Sequence, residues 1–547
     1  MPMRLSRRLL LGGGAMLTAA TSVYAFQGGR RMQRRAVADA RTLNRGNGAE
    51  PYTLDPHLAT GDWENNIIGD MFVGLMTEAA DGTPMPGAAE SFASSADGLT
   101  YTFRLRDHSW SDGTPVTAAD FVYSLRRVLT PQTAAQYASN LYPIRNARAV
   151  NTGKLPPEKL GVRALDDRTL EISFHFQVPY IVQLLAHYST FAVPRHVVEK
   201  YGSAWLRPEN IAVNGPYILK EWVANDHIRL AKNPRFYDSA KVAIENVYFF
   251  PTQDSGAALK RFRGGAFDVL SNSIPPQQTL WLKREIPDEL RLHSYMLTQY
   301  VVFNFDRPPF DDIRVRTALS LAIDRETIVN KVTRGGEMAA YSLVPPGMPG
   351  YPDKAHLAFR DVPPAVRRER ARELMKEAGY GPDRPLRFNY EIESTTEAKL
   401  VAVVLQEMWR EIGAFAQITQ SESQIHYDLL LRRDFEVAWA GWSADYLDPK
   451  NFLFTLDSTN TSMNNGDYKS HTFDALMHDS DIERDPKLRA ELLAQAEQHM
   501  LNDLALTPVY FGVTRNLVST DVRNWIANSV NINRTRWLSL HRARASA

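Results

Sequence analysis

The chain has 547 residues, more than one hydrophobic core serves, so two or three domains are expected. Its 44% apolar and 23% charged residues match an ordinary globular protein and exclude wholesale disorder. A formal net charge of +1 without a basic stripe excludes a nucleic-acid binder, and the absence of cysteine excludes disulfides, thiolate metal sites, a cysteine nucleophile and a lipoprotein anchor.

At the start of the chain, Arg4, Arg7 and Arg8 precede an uncharged apolar run from Leu9 to Tyr24. Val23-Tyr24-Ala25 offers residues suited to signal-peptidase cleavage, so residues 1–25 read as a signal peptide. The run is short and weakened by Gly12-Gly13-Gly14, which argues against a membrane anchor. SRRLLL, Ser6 to Leu11, resembles a twin-arginine export signal; an ordinary secretory signal carrying two arginines is the other reading. Removing residues 1–25 takes away three arginines and no acids, leaving 60 basic and 62 acidic residues, a net of −2. A further cluster, Arg30, Arg31, Arg34 and Arg35, follows the cleavage point. No later segment reaches the ~20 consecutive apolar residues of a spanning helix, so a free periplasmic protein is expected.

Leu99, Tyr101, Phe103 and Leu105 alternate with Thr100, Thr102, Arg104 and Arg106, which predicts a strand with one buried face. WSDGTP, Trp110 to Pro115, supplies turn chemistry after it. Leu170, Ile172, Phe174 and Phe176 predict a second strand. Tyr217 to Asn233 predicts a hairpin with Asn225-Asp226 near its tip. Asp312 opens a helix with Val315, Leu319, Ala322 and Val329 on one side. LVPPGMPGYP, Leu343 to Pro352, is loop. Ser394 and Glu397 predict a capping box for a helix with Leu400, Val404, Met408 and Ile412 on its inner face, closed by Gly413. Strands and helices mix along the chain, which favours α/β or α+β domains, and no solenoid-length repeat occurs.

The thirteen histidines are scattered, with no pair at helical metal-binding spacing. There is no GxSxG elbow and no phosphate-binding Gly-rich loop with Lys-Ser/Thr. DYLDPKN places two acids three apart, which reads as a turn with helix-capping acids rather than a calcium loop. No catalytic residue, metal site or cofactor is therefore expected.

Five stretches, taken in order, resemble the oligopeptide-binding proteins of ABC importers. They are RTLNRGNGAEPYTLDPH (Arg41 to His57), HSWSDGTPVTAADFVYSLRRVLTP (His108 to Pro131) and VNGPYILKEWVANDHIRLAKNPRFYD (Val213 to Asp238), then FDDIRVRTALSLAIDRETIVNKV (Phe310 to Val332) and AGWSADYLDP (Ala440 to Pro449). The resemblance implies an α/β periplasmic-binding-protein clamshell: two lobes with mixed sheets plus an inserted subdomain. It implies a discontinuous first lobe of residues 38–72, 197–298 and 513–547, an inserted subdomain of 73–196 and a second lobe of 299–512. An oligopeptide or peptide-like ligand would be enclosed where the lobes meet and passed to ABC permease subunits in the inner membrane. A monomer that binds no nucleic acid is expected. A binder of an opine or metal chelate and a periplasmic peptide hydrolase are the alternatives.

A binder of many peptides recognises what they share: the α-ammonium, the main-chain amides and the α-carboxylate. A buried ammonium needs an acid opposite it. Asp445 matches the family's ammonium-binding aspartate; a loop Asp that turns or caps is the other reading. Gly441 and Trp442 match the segment whose backbone lies beside the ligand, with Ser443 a further candidate there. Tyr137, in QYASNL, matches a tyrosine near the peptide, with core packing as its rival role. Asn272, in LSNSIPP, is a candidate that also suits a turn. Two arginine positions that help balance the ligand carboxylate in relatives align with Leu430 and Trp439, and a family acid aligns roughly with Thr60. Arg432 and Arg433 lie close enough in sequence to substitute, or form a solvated pair. The expectation is an amino-end anchor retained and the other end read differently.

Overall fold

Two long strands far apart in the chain, Leu290–Phe303 and Leu506–Val518, are rich in β-branched and aromatic residues and pair antiparallel. A computed structural model describes residues 41–271 and 274–542, all within the unit 35–547. The expected signal peptide at 1–25 lies outside the described residues. Around the long pair runs one mixed sheet. On one side, Val437–Ser443, Leu386–Glu393 and Ala414–Ser421 follow the 290–303 strand. On the other, Val269–Ser271, Thr42–Gly46, Asn246–Phe250, His227–Lys232 and Tyr217–Val223 follow the 506–518 strand. Each half contains parallel neighbours, 386–393 with 414–421 and 42–46 with 246–250. The expected hairpin closes one end of the sheet.

The long pair changes register midway. Ser294 faces Val513 but Thr298 faces Phe511, so extra residues bulge out of the first strand. A bulge re-aims a side chain. Here it carries Tyr295, whose hydroxyl reaches Asp62 across the cleft at 3.0 Å.

The two halves have separate cores. Leu43, Phe72, Tyr217 and Val247 belong to one, and Val301, Phe388, Tyr390 and Trp409 to another. Residues 89–173 add a four-stranded antiparallel sheet, in which Phe103 pairs with Leu170 and Tyr101 with Ile172. The two alternating strands read from the sequence thus lie side by side. Asp312 caps the Ile313–Ala322 helix through the Arg314 amide, as expected. The next helix differs. Thr395 is its N-cap, accepting from the Ala398 amide, rather than Ser394. Its buried face is Ala398, Val401, Leu405 and Trp409, one position off the expected stripe, because the Trp409 indole donates to the Leu319 carbonyl and faces Tyr390. Glu397, freed from any capping box, points elsewhere.

The Pro51–His57 stretch is held by the helix Ala118–Leu129. Arg127 forks onto both oxygens of Asp55 at 2.6 and 3.0 Å and donates to His57 Nδ1 at 2.7 Å. His57 Nε2 meets the Phe191 carbonyl at 3.1 Å, so the ring is a neutral donor–acceptor locked between two elements. Burial, then the Arg127 charge, lowers its pKa to about 4. An unfolded histidine titrates near 6.5, so between pH ~6.5 and ~4 the unfolded chain binds the extra proton and stability falls as pH drops. In urea titrations over that window, His57→Gln is expected to lose this part of the slope. A slope difference of zero between variant and wild type would contradict the assignment.

Candidate functional site

The strand Val437–Ser443 alternates its faces. Trp439, Gly441 and Ser443 line a cavity of about 500 Å³, and Ser443 also lines a second of about 110 Å³. The two share Asp62, Asn66, Tyr295 and Ser443, so they form one cleft. A side chain added at Gly441 would meet Gln299 Oε1 at 2.7 Å, so glycine keeps backbone open to the cleft there. Trp442 faces the other way. Its ring packs edge-on against Phe454, its indole donates to Asn451 at 3.1 Å, and it lines neither cavity. The side chain of that candidate is thus a brace, for the plain reason of strand alternation.

After the strand the chain turns, and the two acids of DYLDP part ways. Asp448 is structural: it accepts the Lys450 amide and forks onto buried Arg489 at 2.8 and 2.9 Å. Asp445 lines the smaller cavity with its side chain 11% exposed. Fully buried Asn451 sets its position, accepting the Asp445 amide at 2.9 Å while its Nδ2 stands 3.4 Å from Oδ2. The adjacent Tyr446 stacks on Tyr180 with centroids 4.8 Å apart.

Opposite Asp445 stand three aromatic residues. His187 Nε2 lies 3.4 Å from Oδ1, while Nδ1 accepts from the Ser189 amide, which assigns the proton to Nε2. Tyr137 packs on His187 at 4.9 Å and edge-on to Tyr188 at 5.9 Å, so it both packs and lines the cavity. Burial, then the Asp445 charge, pushes the Tyr137 phenol well above its usual range, so it stays a neutral donor.

The sequence reading missed Asp62. It begins the helix Asp62–Met71, two residues beyond Thr60, and lines both cavities. Its carboxyl is raised by loss of solvation and further by the Asp445 charge, against the Tyr295 hydrogen bond. Among the described residues neither Asp62 nor Asp445 has a lysine or arginine partner, and the smaller cavity has no lysine or arginine in its wall. The local signal was weak, since an acid in the first turn of a helix ordinarily serves that helix. Asn272 lies outside the described residues.

Leu430 is packed in a core away from the cleft. Trp439 stands in the wall beside Tyr510, ring centroids 5.8 Å apart. Arg432 pairs with Asp428 on the surface and Arg433 with Asp467, and neither lines the cleft. The cation that does line it is Arg515, held by Glu337 and, at 2.7 Å, by Glu397. Glu397 also accepts from Tyr510 at 2.6 Å, which explains its absence from the capping box. Among the described residues no cluster suited to a metal ion occurs.

The family model for bacterial extracellular solute-binding proteins, family 5 Middle, matches residues 83–464. The periplasmic oligopeptide-binding protein OppA of Escherichia coli is 42% identical over 489 residues, 88% of this chain and 89% of that protein. The crystal structure of Haemophilus influenzae OppA with the peptide RPPGFSPFR covers 92% of this chain and 100% of its own, at 31% identity and a TM-score of 0.88. The murein tripeptide-binding protein MppA of Escherichia coli also superposes at 0.88, with 31% identity over 92% of this chain and 99% of that one. The unliganded open form of MppA superposes at 0.68, with 31% identity over 92% of this chain and 98% of that one.

The Asn451 clamp is a direct test of how the loop is held. Asn451→Ala leaves the partly buried Asp445 amide and Trp442 indole without their acceptor, and a donor stranded in this way costs at most about 1–3 kcal/mol. A lowered denaturation midpoint in urea is expected; an unchanged one would mean the loop is held by other contacts.

Proposed function

The chain belongs to the bacterial extracellular solute-binding proteins of family 5, and on that premise we propose that it captures oligopeptides with Asp445 and Asp62 as counter-charges to the peptide α-ammonium. It is a periplasmic solute-binding protein of an ABC importer, and it hands its peptide to the membrane permease. The relatives are binding proteins rather than enzymes, and this chain is read as a carrier that leaves its ligand chemically unchanged.

One observation carries the reading of the anchor: two carboxylates meet in a protein-walled cavity with no lysine or arginine to offset them. An ammonium buried there gains two charge-assisted partners, where burial without a partner would cost several kcal/mol. The Tyr137 hydroxyl and His187 surround the same point. Main-chain recognition has a surface too. The 386–393 strand pairs with Val437 and Ala438 only, and the Trp439 carbonyl meets His426 Nε2 at 2.9 Å, so the 440–443 edge beyond is what is left for an extended peptide. Gly441 leaves room for it.

The lobes of this reading are 38–72 with 197–298 and 513–547, the inserted 73–196, and 299–512. The long strands cross between the lobes, and their register break between Ser294 and Thr298 falls near that boundary. A hinge at such a break lets the halves rotate while the sheet stays paired.

Calorimetry with short peptides tests the anchor. Asp445→Ala is expected to weaken binding by about 3–5 kcal/mol, as for a broken buried pair, and N-acetylation of the peptide should cause a similar loss in the wild type. Equal affinity for free and acetylated peptide would remove Asp445 and Asp62 from this role.

A further inference from the structure

The inserted segment 73–196 and the first lobe are packed as one body. Phe103, Leu170 and Tyr180 share a continuous core with Leu43, Tyr217 and Val247, while the 299–512 lobe fills cores of its own. Tyr446 crosses that division. By chain position it belongs to the second lobe, yet among the described residues it is that lobe's one buried hydrophobic side chain in the first core. It is 4% exposed there.

Its seat is on the insert. Tyr446 and Tyr180 stack with their ring planes 6° apart and centroids at 4.8 Å, within the range of a favourable aromatic pair. Two cations of the second lobe close on the same stretch. The Arg489 guanidinium, held by both oxygens of Asp448, stands 5.5 Å from the Tyr180 centroid. Lys450, paired with Asp481, places Nζ 5.4 Å from the centroid of half-buried Phe176.

Each side of the contact is braced on its own. The Tyr446 carbonyl accepts the Asp448 amide and the Asp448 carbonyl accepts the Asn451 amide, each at 2.9 Å. Tyr180 precedes the short helix Ile181–Leu184, and its carbonyl accepts the Leu184 amide at 2.9 Å. Among the described residues no backbone hydrogen bond joins 176–188 to 445–451, so the two surfaces can part without tearing either. Rotation about a hinge at the register break moves the second lobe as a body, and opening then has to draw Tyr446 out of the core and off Tyr180.

We propose that the inserted subdomain is the catch of the closing cleft: Tyr180 and Phe176 receive Tyr446 and Lys450 of the second lobe, and this contact sets the balance between open and closed forms. The catch acts without touching ligand, since Tyr180 and Phe176 line neither cavity. Tyr446 follows Asp445 directly, and His187 lies on the same stretch as Tyr180, so seating the ring also brings the anchor together. The share of closed protein scales the affinity for every peptide alike. The assignment rests on the lobes and the peptide ligand proposed above.

The chain has no cysteine, so spin labels on Leu165→Cys and Leu488→Cys, at exposed positions of the insert and the second lobe, report the opening as a distance. Tyr180→Ala in that background is expected to gain population at the longer distance, both without peptide and at saturation. Calorimetry should show a loss of roughly tenfold that is the same for peptides of unrelated sequence. Tyr180→Phe keeps the ring and should stay within about threefold of wild type. Phe176→Ala, which removes only the half-buried partner of Lys450, should shift both readouts the same way by roughly two- to fivefold and guards against a folding defect in Tyr180→Ala. Wild-type distances in both alanine variants, with and without peptide, overturn the catch whether or not affinity changes, and leave the peptide reading standing. Failure of every peptide to bind the wild type removes the peptide reading, while the distances without peptide still decide the catch.

Discussion

Two carboxylates facing one cavity without a lysine or arginine repel each other, and much of this structure exists to hold them there. Asp62 rises from the first turn of a helix whose end is packed under the C-terminal segment, where Arg534 bonds both Asn65 and Glu78. Asp445 hangs from a loop clamped by Asn451. Tyr295 spans from the long strands to Asp62, and its placement needs the register break. Each support comes from a different part of the chain, so the charged point is a property of the assembled fold and of no local segment. Low-dielectric surroundings make such a site strong toward a cation and costly without one.

The acids in and beside the cleft serve separate ends. Asp448 is spent within the fold, on Arg489. Glu337 and Glu397 are spent on Arg515. Among the described residues Asp62, Asp445, Glu393 and Glu422 have no lysine or arginine partner. Net charge near zero for the whole chain hides this division entirely. Local imbalance, rather than the overall sum, is what a charged ligand meets.

Regular structure was legible in the sequence wherever periodicity and capping agreed. The 100–105 and 169–173 strands, the 217–232 hairpin and the Asp312 cap all follow from their own residues. Reading failed where a tertiary partner outbid a local one. Glu397 looks like half of a capping box but bonds Arg515 and Tyr510, over a hundred residues away. The helix face shifted by one position because Trp409 found the Leu319 carbonyl. At the site, Asp445 stood out through its family resemblance, whereas Asp62 resembled any first-turn acid. The bracing side of Trp442 and the Asn451 clamp carry no local signal, since a strand's facing and a clamp across six residues appear only once the turn is built.

The long strands also bear on how the chain must assemble. Leu506–Val518 lies between Val269–Ser271 and Leu290–Phe303, and it is what joins the two halves of the sheet. Its partners are made more than two hundred residues earlier, so their edges stay open until nearly the whole chain is available. Loop closure over such a span is entropically modest but slow, and unpaired edges invite wrong partners meanwhile. The arrangement that brings both lobes to one ligand therefore leaves the joint between the two halves of the sheet to a strand made late in the chain.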